Sequence, residues 1–320
     1  ASRRGEVLPE EVGEVMRDND TSGLVGGPII RYGGKGRLAQ HLLPHFAPAL
    51  VYAEPFFGAG GMFYRIAPGT YEREAVNDLD SSVVVFFRVL RDRPDDLMRV
   101  CEATPYARDE FSACIERSAD ELEEARRVWV RTRQGFSGES HSVGQWRRSP
   151  GNVPAWAAKQ NETKLGALRA YAARLRAVAI DNIDAVAFVD KWGQEATFIY
   201  ADPPYVADTR ERATGGGAHR YAHEMTDADH RRVAASLRAA VERGAKVAVS
   251  GYASPLYDEL FAGWRMVALD VASYATRGEV SRRTEVLWCS YPAAESFAGI
   301  EAAKRNARQP SLFDLGGGAK

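Results

Sequence analysis

The chain has 320 residues, 45% of them hydrophobic, more than one small core requires, which sets the expectation of one large α/β domain or a domain carrying an insertion. Its 42 Lys+Arg against 43 Asp+Glu, a net charge of -1, exclude the uniformly basic coat of a histone or ribosomal protein but not a local basic face. Cys101, Cys114 and Cys289 lie far apart with no C-x-x-C pair, which argues against a disulfide framework or a zinc site and fits a reducing, cytoplasmic setting. The polar N-terminus and the lack of any run near the ~18 apolar residues of a membrane span predict a soluble, non-secreted protein.

In chain order, residues 1–27 mix charges with Gly and Ser and read as a loose arm. GRLAQHLLPHF follows as a helix with Leu38, Leu42 and Phe46 on one stripe. Strand-type segments stand at 50–56, 71–79, 176–183, 196–205, 245–252, 264–274 and 284–291 and alternate with helical patterns, which predicts a largely parallel sheet wrapped by helices. A helix capped by Thr226, with Val233, Leu237 and Val241 as its stripe, is expected to end at Gly244. Residues 28–87 and 179–292 should form the main domain, with 88–178 a helical insertion and 293–320 a flexible tail.

The insertion is electrically divided. Residues 92–124 carry 4 basic and 11 acidic side chains, and residues 126–176 carry 11 basic and 2 acidic. Within the second stretch Arg131, Arg133, Arg147 and Arg148 are interleaved with Phe136, His141, Trp146 and Trp156. Arginine supplies phosphate contacts and bidentate guanine readout, and aromatic rings wedge or stack, so this half is the expected nucleic-acid face.

Three motifs carry chemistry. Ala53-Glu54-Pro55-Phe56-Phe57-Gly58-Ala59-Gly60-Gly61 follows a strand, and its glycines permit a tight turn and close approach to a ligand, although such turns also serve nucleotides, flavins or packing alone. About twenty residues on, Asp78 ends the second strand, where an acid is the expected partner of ribose hydroxyls. Asp202-Pro203-Pro204-Tyr205 ends FIYADPPY; its prolines remove backbone donors and hold a carboxylate, a carbonyl and a ring rigidly at the sheet edge. Such a set is suited to accepting both N–H bonds of an exocyclic amine while stacking on its base. Ahead of the first helix, Arg31-Tyr32-Gly33-Gly34-Lys35-Gly36 places Lys35 at a Gly-rich helix start, able to reach an anionic ligand group.

In this order the motifs resemble the D12 class of amino-exocyclic DNA adenine methyltransferases, relatives of the Dam methylases, and especially the phage and prophage forms. The blocks are RYGGKGRLA, YAEPFFGAGG, VNDLDSSVVVFFRVLRD, YADPPYV, HEMTDADH, VAVSGY and RTEVLWCSY, from about Ile30 to Tyr291. The resemblance implies a seven-stranded, mostly parallel, Rossmann-like sheet of the class I methyltransferases with an inserted target-recognition region. It implies S-adenosylmethionine as cofactor and methyl transfer to N6 of a flipped-out adenine in double-stranded DNA. It would bring Tyr32, Gly34 and Lys35 to the methionine end of the cofactor and the loop of Glu54, Pro55, Phe56, Phe57, Gly58 and Gly60 along it. Asp78 would hold the ribose, Ile183 and Asp184 would border the adenine, and Asp202, Pro203, Pro204 and Tyr205 would take the target base. The chain departs from Dam-type members in having Arg31 where they carry an aromatic, and in lacking their Asn-rich hairpin, so the target sequence does not carry over.

The same amine trap would also serve an N4-cytosine or RNA amino-methyltransferase, and a catalytically idle DNA-binding regulator is the reading from another class. His219, His223 and His230 do not make a metal set; His223 and Tyr221 are expected in a loop flanking the site. Gln309-Pro310-Ser311-Leu312-Phe313 resembles the short peptides that dock on replication sliding clamps. A monomer, bacterial or phage-encoded and cytoplasmic, is expected.

Overall fold

The structure, a computed structural model, describes residues 24, 26–31, 34–135, 146, 163–205, 225–274 and 280–308. Among these, seven strands, β1 (Val51–Glu54), β2 (Arg73–Asn77), β3 (Val178–Asp181), β4 (Thr197–Ala201), β5 (Lys246–Tyr252), β6 (Arg265–Tyr274) and β7 (Val280–Cys289), form one sheet of order β3-β2-β1-β4-β5-β7-β6. The first five are parallel, and β7 runs antiparallel to both neighbours. All seven segments expected as strands are strands; most are a few residues shorter than expected, and the last begins four residues earlier, at Val280 instead of Thr284.

Ten α-helices accompany them among the described residues: α1 (Ala39–Leu42), α2 (Ser81–Asp92), α3 (Pro94–Glu102), α4 (Arg108–Ala113), α5 (Glu121–Gln134), α6 (Leu168–Leu175), α7 (Ala185–Trp192), α8 (Asp227–Glu242), α9 (Pro255–Leu260) and α10 (Phe297–Arg308). The period-2 alternation of the strands divides their side chains between two helical layers. In β4, Phe198 and Tyr200 join the core shared with α2, α3, α5 and α6, while Ile199 and Ala201 join that of α7, α8 and α9. Each fully buried large apolar side chain of this kind contributes about 1.5–3 kcal/mol in removed apolar surface.

Local sequence explains the helix ends. Thr226 caps α8 by a reciprocal box with Asp229, and Gly244 follows with φ +96°, a left-handed conformation that favours glycine. The single helix expected over 36–46 is broken into 3-10 turns at Lys35–Arg37 and Leu43–His45 around the four-residue α1. Pro44, with no N–H to donate, accounts for the second break.

Two organisational expectations change. The described helices of 88–178 do not form a body apart: Leu97, Cys101, Val128, Trp129, Leu168 and Tyr171 share one core with Phe86, Phe87 and the sheet residues Tyr52 and Phe198. Nor is 293–308 a loose tail, because Phe297 is buried in that core, its N–H donates to Phe46 O at 2.9 Å, and α10 runs on from it. The Gly-rich end of the sequence had masked an amphipathic stretch with an aromatic anchor. The N-terminal arm up to residue 23 and the segment 309–320, with Gln309–Phe313, lie outside the described residues.

Candidate active site

The sheet order reverses between β1 and β4, and the loops leaving their carboxyl ends diverge to form a crevice, the position where open α/β sheets bind ligands. A cavity of about 300 Å³ lies there, lined by Glu54 to Ala59, Asp78 to Asp80, Asp184, and Asp202 to Pro204, among others. Motifs more than a hundred residues apart thus meet at one sheet edge.

On the β1–β2–β3 side the carboxyl ends are tied together by short polar bonds. Asn77, the last residue of β2, donates through Nδ2 to Pro55 O (3.1 Å) and Ile183 O (3.0 Å) and accepts Ile183 N–H at Oδ1 (2.9 Å). Asp78 accepts the Gly58 N–H at 2.7 Å and the Asp80 N–H at 2.9 Å. Burial pushes its carboxyl up, with Arg31 and the two backbone donors pulling the other way. Asp80 caps α2 through Ser82 N–H (3.0 Å) and pairs with Arg31 at 2.9 Å. Asp184 caps α7 and pairs with Arg232 of α8 at 2.9 Å; the Arg232 hydrogen bond holds its carboxyl below the usual range. Glu54 is buried and accepts the Tyr52 hydroxyl at 2.8 Å, and burial drives its carboxyl well above the usual range.

The glycine loop is shaped by close approach. Gly58 takes φ +54° and borders the cavity, where a Cβ would meet nothing. At Gly60, with φ +71°, a Cβ would lie 2.8 Å from both the Phe57 and Tyr64 rings, so this glycine serves the packing beneath the loop and does not line the cavity. A Cβ on Gly61 would lie 3.0 Å from the Gly36 N, which brings the Lys35 turn against the loop.

The β4–β5–β7 side is built from buried charge. Asp202 Oδ1 accepts Lys35 Nζ at 2.7 Å and Ser250 Oγ at 2.9 Å, and Ser250 in turn meets the Tyr200 hydroxyl at 2.9 Å. Asp202 Oδ2 has no partner among the described residues, and the carboxyl lines the cavity with Pro203 and Pro204. Lys35 is 4% exposed; Nζ also donates to the Tyr205 hydroxyl and lies 3.3 Å from Glu285 Oε1. Burial opposes its charge, but Asp202, Tyr205 and Glu285 outweigh that and hold its pKa well above the ordinary lysine value. Tyr205, 6% exposed, follows Pro204 of the cavity lining; its ring lies 4.5 Å from that of Tyr252, and its hydroxyl donates toward Glu285 at 3.3 Å.

The expected site residues are therefore divided. Lys35, Glu54, Pro55, Phe56, Phe57, Gly58, Asp78, Asp184, Asp202, Pro203 and Pro204 converge on the cavity with Gly34, while Ile183 contributes its backbone to the Asn77 tie. Tyr32 lies outside the described residues, as do Phe136, His141, Arg147, Arg148, Trp156, Tyr221, His219 and His223. Lys35, expected to face a ligand, lines the cavity and also braces Asp202.

Two of the arginines expected on the nucleic-acid face are interior. Arg131 is 3% exposed and bonds Glu124 at 2.7 Å and Cys114 O at 2.8 Å; Arg133 is 4% exposed, donates to Pro28 O and lies over the Trp129 ring. They project from opposite sides of α5, but Val128 to Gln134 are buried without a break, so both side chains are turned from solvent. Trp146 is half-buried, packed with Phe111, Cys114 and Val130, and bridges back to Gly135. Residues that sequence reasoning missed are Asn77, Ser250 and Glu285; Glu285 stood inside the RTEVLWCSY block without a role. Among the described residues no group of three His, Cys, Asp or Glu is placed to hold a metal ion, and no helix is long and apolar enough to cross a membrane.

Comparison with known proteins adds sequence-level likeness. Residues 32–273 match the model of the D12 class N6 adenine-specific DNA methyltransferases. A Type II methyltransferase of Lactococcus lactis subsp. cremoris is 25% identical over 284 residues, 81% of this chain and 93% of that protein. Among solved structures, a precorrin 8w decarboxylase from Methanobacterium thermoautotrophicum covers 80% of this chain and 89% of its own at TM-score 0.31 and 10% identity. A provisionally assigned RNA methyltransferase from Pyrococcus horikoshii covers 88% and 96% at TM-score 0.33 and 10% identity.

Proposed function

The chain belongs to the D12 class of N6 adenine-specific DNA methyltransferases, and we propose that the crevice between β1 and β4 is where it transfers a methyl group from S-adenosylmethionine to adenine. The observation that carries this reading is the state of Asp202. Its Oδ1 is held by Lys35 and Ser250, while the residue lines the cavity with an 18% exposed side chain, beside two prolines that cannot donate to it.

The residues present fit the cofactor. The molecule is a sulfonium cation with ribose hydroxyls, and the cavity is edged by Glu54, Asp78, Asp80 and Asp184 with apolar floor from Pro55, Phe56 and Phe57. In this reading Asp78 takes the ribose hydroxyls, Asp184 with Ala185 borders the adenine, and the Gly34–Gly36 turn closes the far end. When bound, the cofactor supplies an electrophilic methyl group.

The target adenine lies inside a duplex and must be extruded, at a cost of a few kcal/mol. Asp202 Oδ2 and the Pro203 carbonyl then accept the two amine N–H bonds, which draws the nitrogen toward tetrahedral geometry; Tyr205 gives the base its aromatic contact. The amine proton leaves to water once nitrogen is cationic, so Asp202 acts by position and charge rather than as a strong base. Duplex contacts fall to Arg147, Arg148, Phe136 and His141. The likeness to a Type II methyltransferase is the ground for reading the chain as the modification enzyme of a restriction–modification pair.

The test is to incubate the protein with duplex DNA and methyl-labelled cofactor and analyse the nucleosides by mass spectrometry. N6-methyldeoxyadenosine is expected. Label in N4-methylcytosine, label in RNA only, or cofactor and DNA binding with no transfer would each replace this reading with one of its rivals.

A further inference from the structure

Glu285 is a buried carboxylate, 3% exposed, on β7, and nothing in the mechanism above uses it. It faces the catalytic side because β7 pairs antiparallel with β5, in a register that sets Glu285 opposite Tyr252. There it meets the tips of two side chains of the site, Lys35 and Tyr205. Oε1 is 3.3 Å from Lys35 Nζ, which holds Asp202, and its two oxygens accept the Tyr205 hydroxyl at 3.3 and 3.4 Å.

A lone buried ammonium facing Asp202 would form a neutral pair with it and weaken Asp202 as an acceptor. A second carboxyl group behind Lys35 changes the balance: burial pushes the Glu285 carboxyl up while Lys35 pulls it down, and the ammonium is divided between Asp202 and Glu285 instead of being spent on Asp202 alone. Tyr205 is at the same time fixed by its hydroxyl, which limits where its ring can stand. We propose that Glu285 is a positioning residue for methyl transfer, acting through Lys35 on Asp202 and directly on the orientation of Tyr205. This rests on the assignment of Asp202 and Tyr205 to the target base.

The experiment compares wild type, E285Q and E285D in single-turnover methylation of a duplex carrying the target site. Cofactor affinity, melting temperature and the fluorescence of 2-aminopurine at the target position are followed alongside. The expected result for E285Q is a rate reduced roughly 10- to 100-fold with cofactor affinity within twofold, together with altered 2-aminopurine fluorescence; E285D, which keeps the charge, recovers most of the rate. An E285Q rate within twofold of wild type, or a loss shared equally by E285D, would overturn the proposal. If E285Q alone does not fold, K35M and K35M/E285Q are compared by melting temperature. Removing Lys35 strands two carboxylates, so the double variant should be the more stable, and equal or lower stability refutes the pairing. A wild-type protein that methylates no adenine would instead sink the functional reading on which this stands.

Discussion

Two groups of ion pairs in this molecule use the same chemistry to opposite ends. In the helices between β2 and β3, arginines of the basic stretch meet acids of the acidic one or of β2: Arg126 with Glu110 and Glu123, Arg127 with Glu123, Arg131 with Glu124, Arg169 with Asp95, and Arg174 with Glu74. What reads along the chain as an acidic block beside a basic one is, at these five arginines, mutual neutralisation in space. At the β4 edge, one lysine lies between two carboxyl groups, and Asp202 of that cluster lines a cavity. The contrast teaches that a local charge excess marks function only where the fold leaves it unbalanced and accessible.

The sharpest break of the comparison is at Asp202. Asp202→Ala should lower methyl transfer by about 10³-fold or more while cofactor affinity stays within a few-fold, since Lys35 and the glycine loop remain; isothermal titration and label transfer measure both. Next is Arg131→Met, which leaves Glu124, 2% exposed, with the longer 3.9 Å contact to Arg117 as its remaining ion pair among the described residues and should cost about 3–5 kcal/mol in urea unfolding. The salt dependence of its DNA binding should be unchanged, because the side chain is interior.

Neutralising Arg147 and Arg148 together should do the reverse. Stability stays put, and the slope of log affinity against log salt flattens by about 2, which a filter-binding titration reads. An unmoved slope would place the duplex on another surface.

Glu54 offers a pH test. Burial raises its carboxyl in the folded protein, so the folded state holds the proton more tightly than the unfolded chain does. Stability is therefore lost as pH climbs from the ordinary carboxylate value of 4.5 through the raised one. Glu54→Gln, which keeps an acceptor for Tyr52 and cannot ionise, should raise the melting temperature by roughly 2–4 °C at pH 8, with no gain near pH 4. The smallest effect belongs to Arg169→Ala, whose pair with Asp95 is 65% and 71% exposed; the change in stability should stay below about 0.5 kcal/mol.

Particular residues show where sequence reasoning reached and where it stopped. Thr226, Asp229 and Gly244 announced both ends of α8 because capping and left-handed termination are contacts within a few residues. The β1 and β4 motifs were legible as one site because parallel strands bring their carboxyl ends to one edge whatever lies between them. Arg131 and Arg133 were misplaced because helical position alone does not say which face meets the core when both faces carry arginine.

The sequence by itself determined the seven strands, their alternation with helices, and the two motifs that border the cavity, since each is written in short-range periodicity and backbone chemistry. Only the tertiary structure decided which charges are neutralised and which stay open. Lys35, Asp202, Ser250 and Glu285 come together because the order β1-β4-β5-β7 stacks their ends side by side, and electrostatic pairing depends on distance in space, to which separation along the chain is no guide.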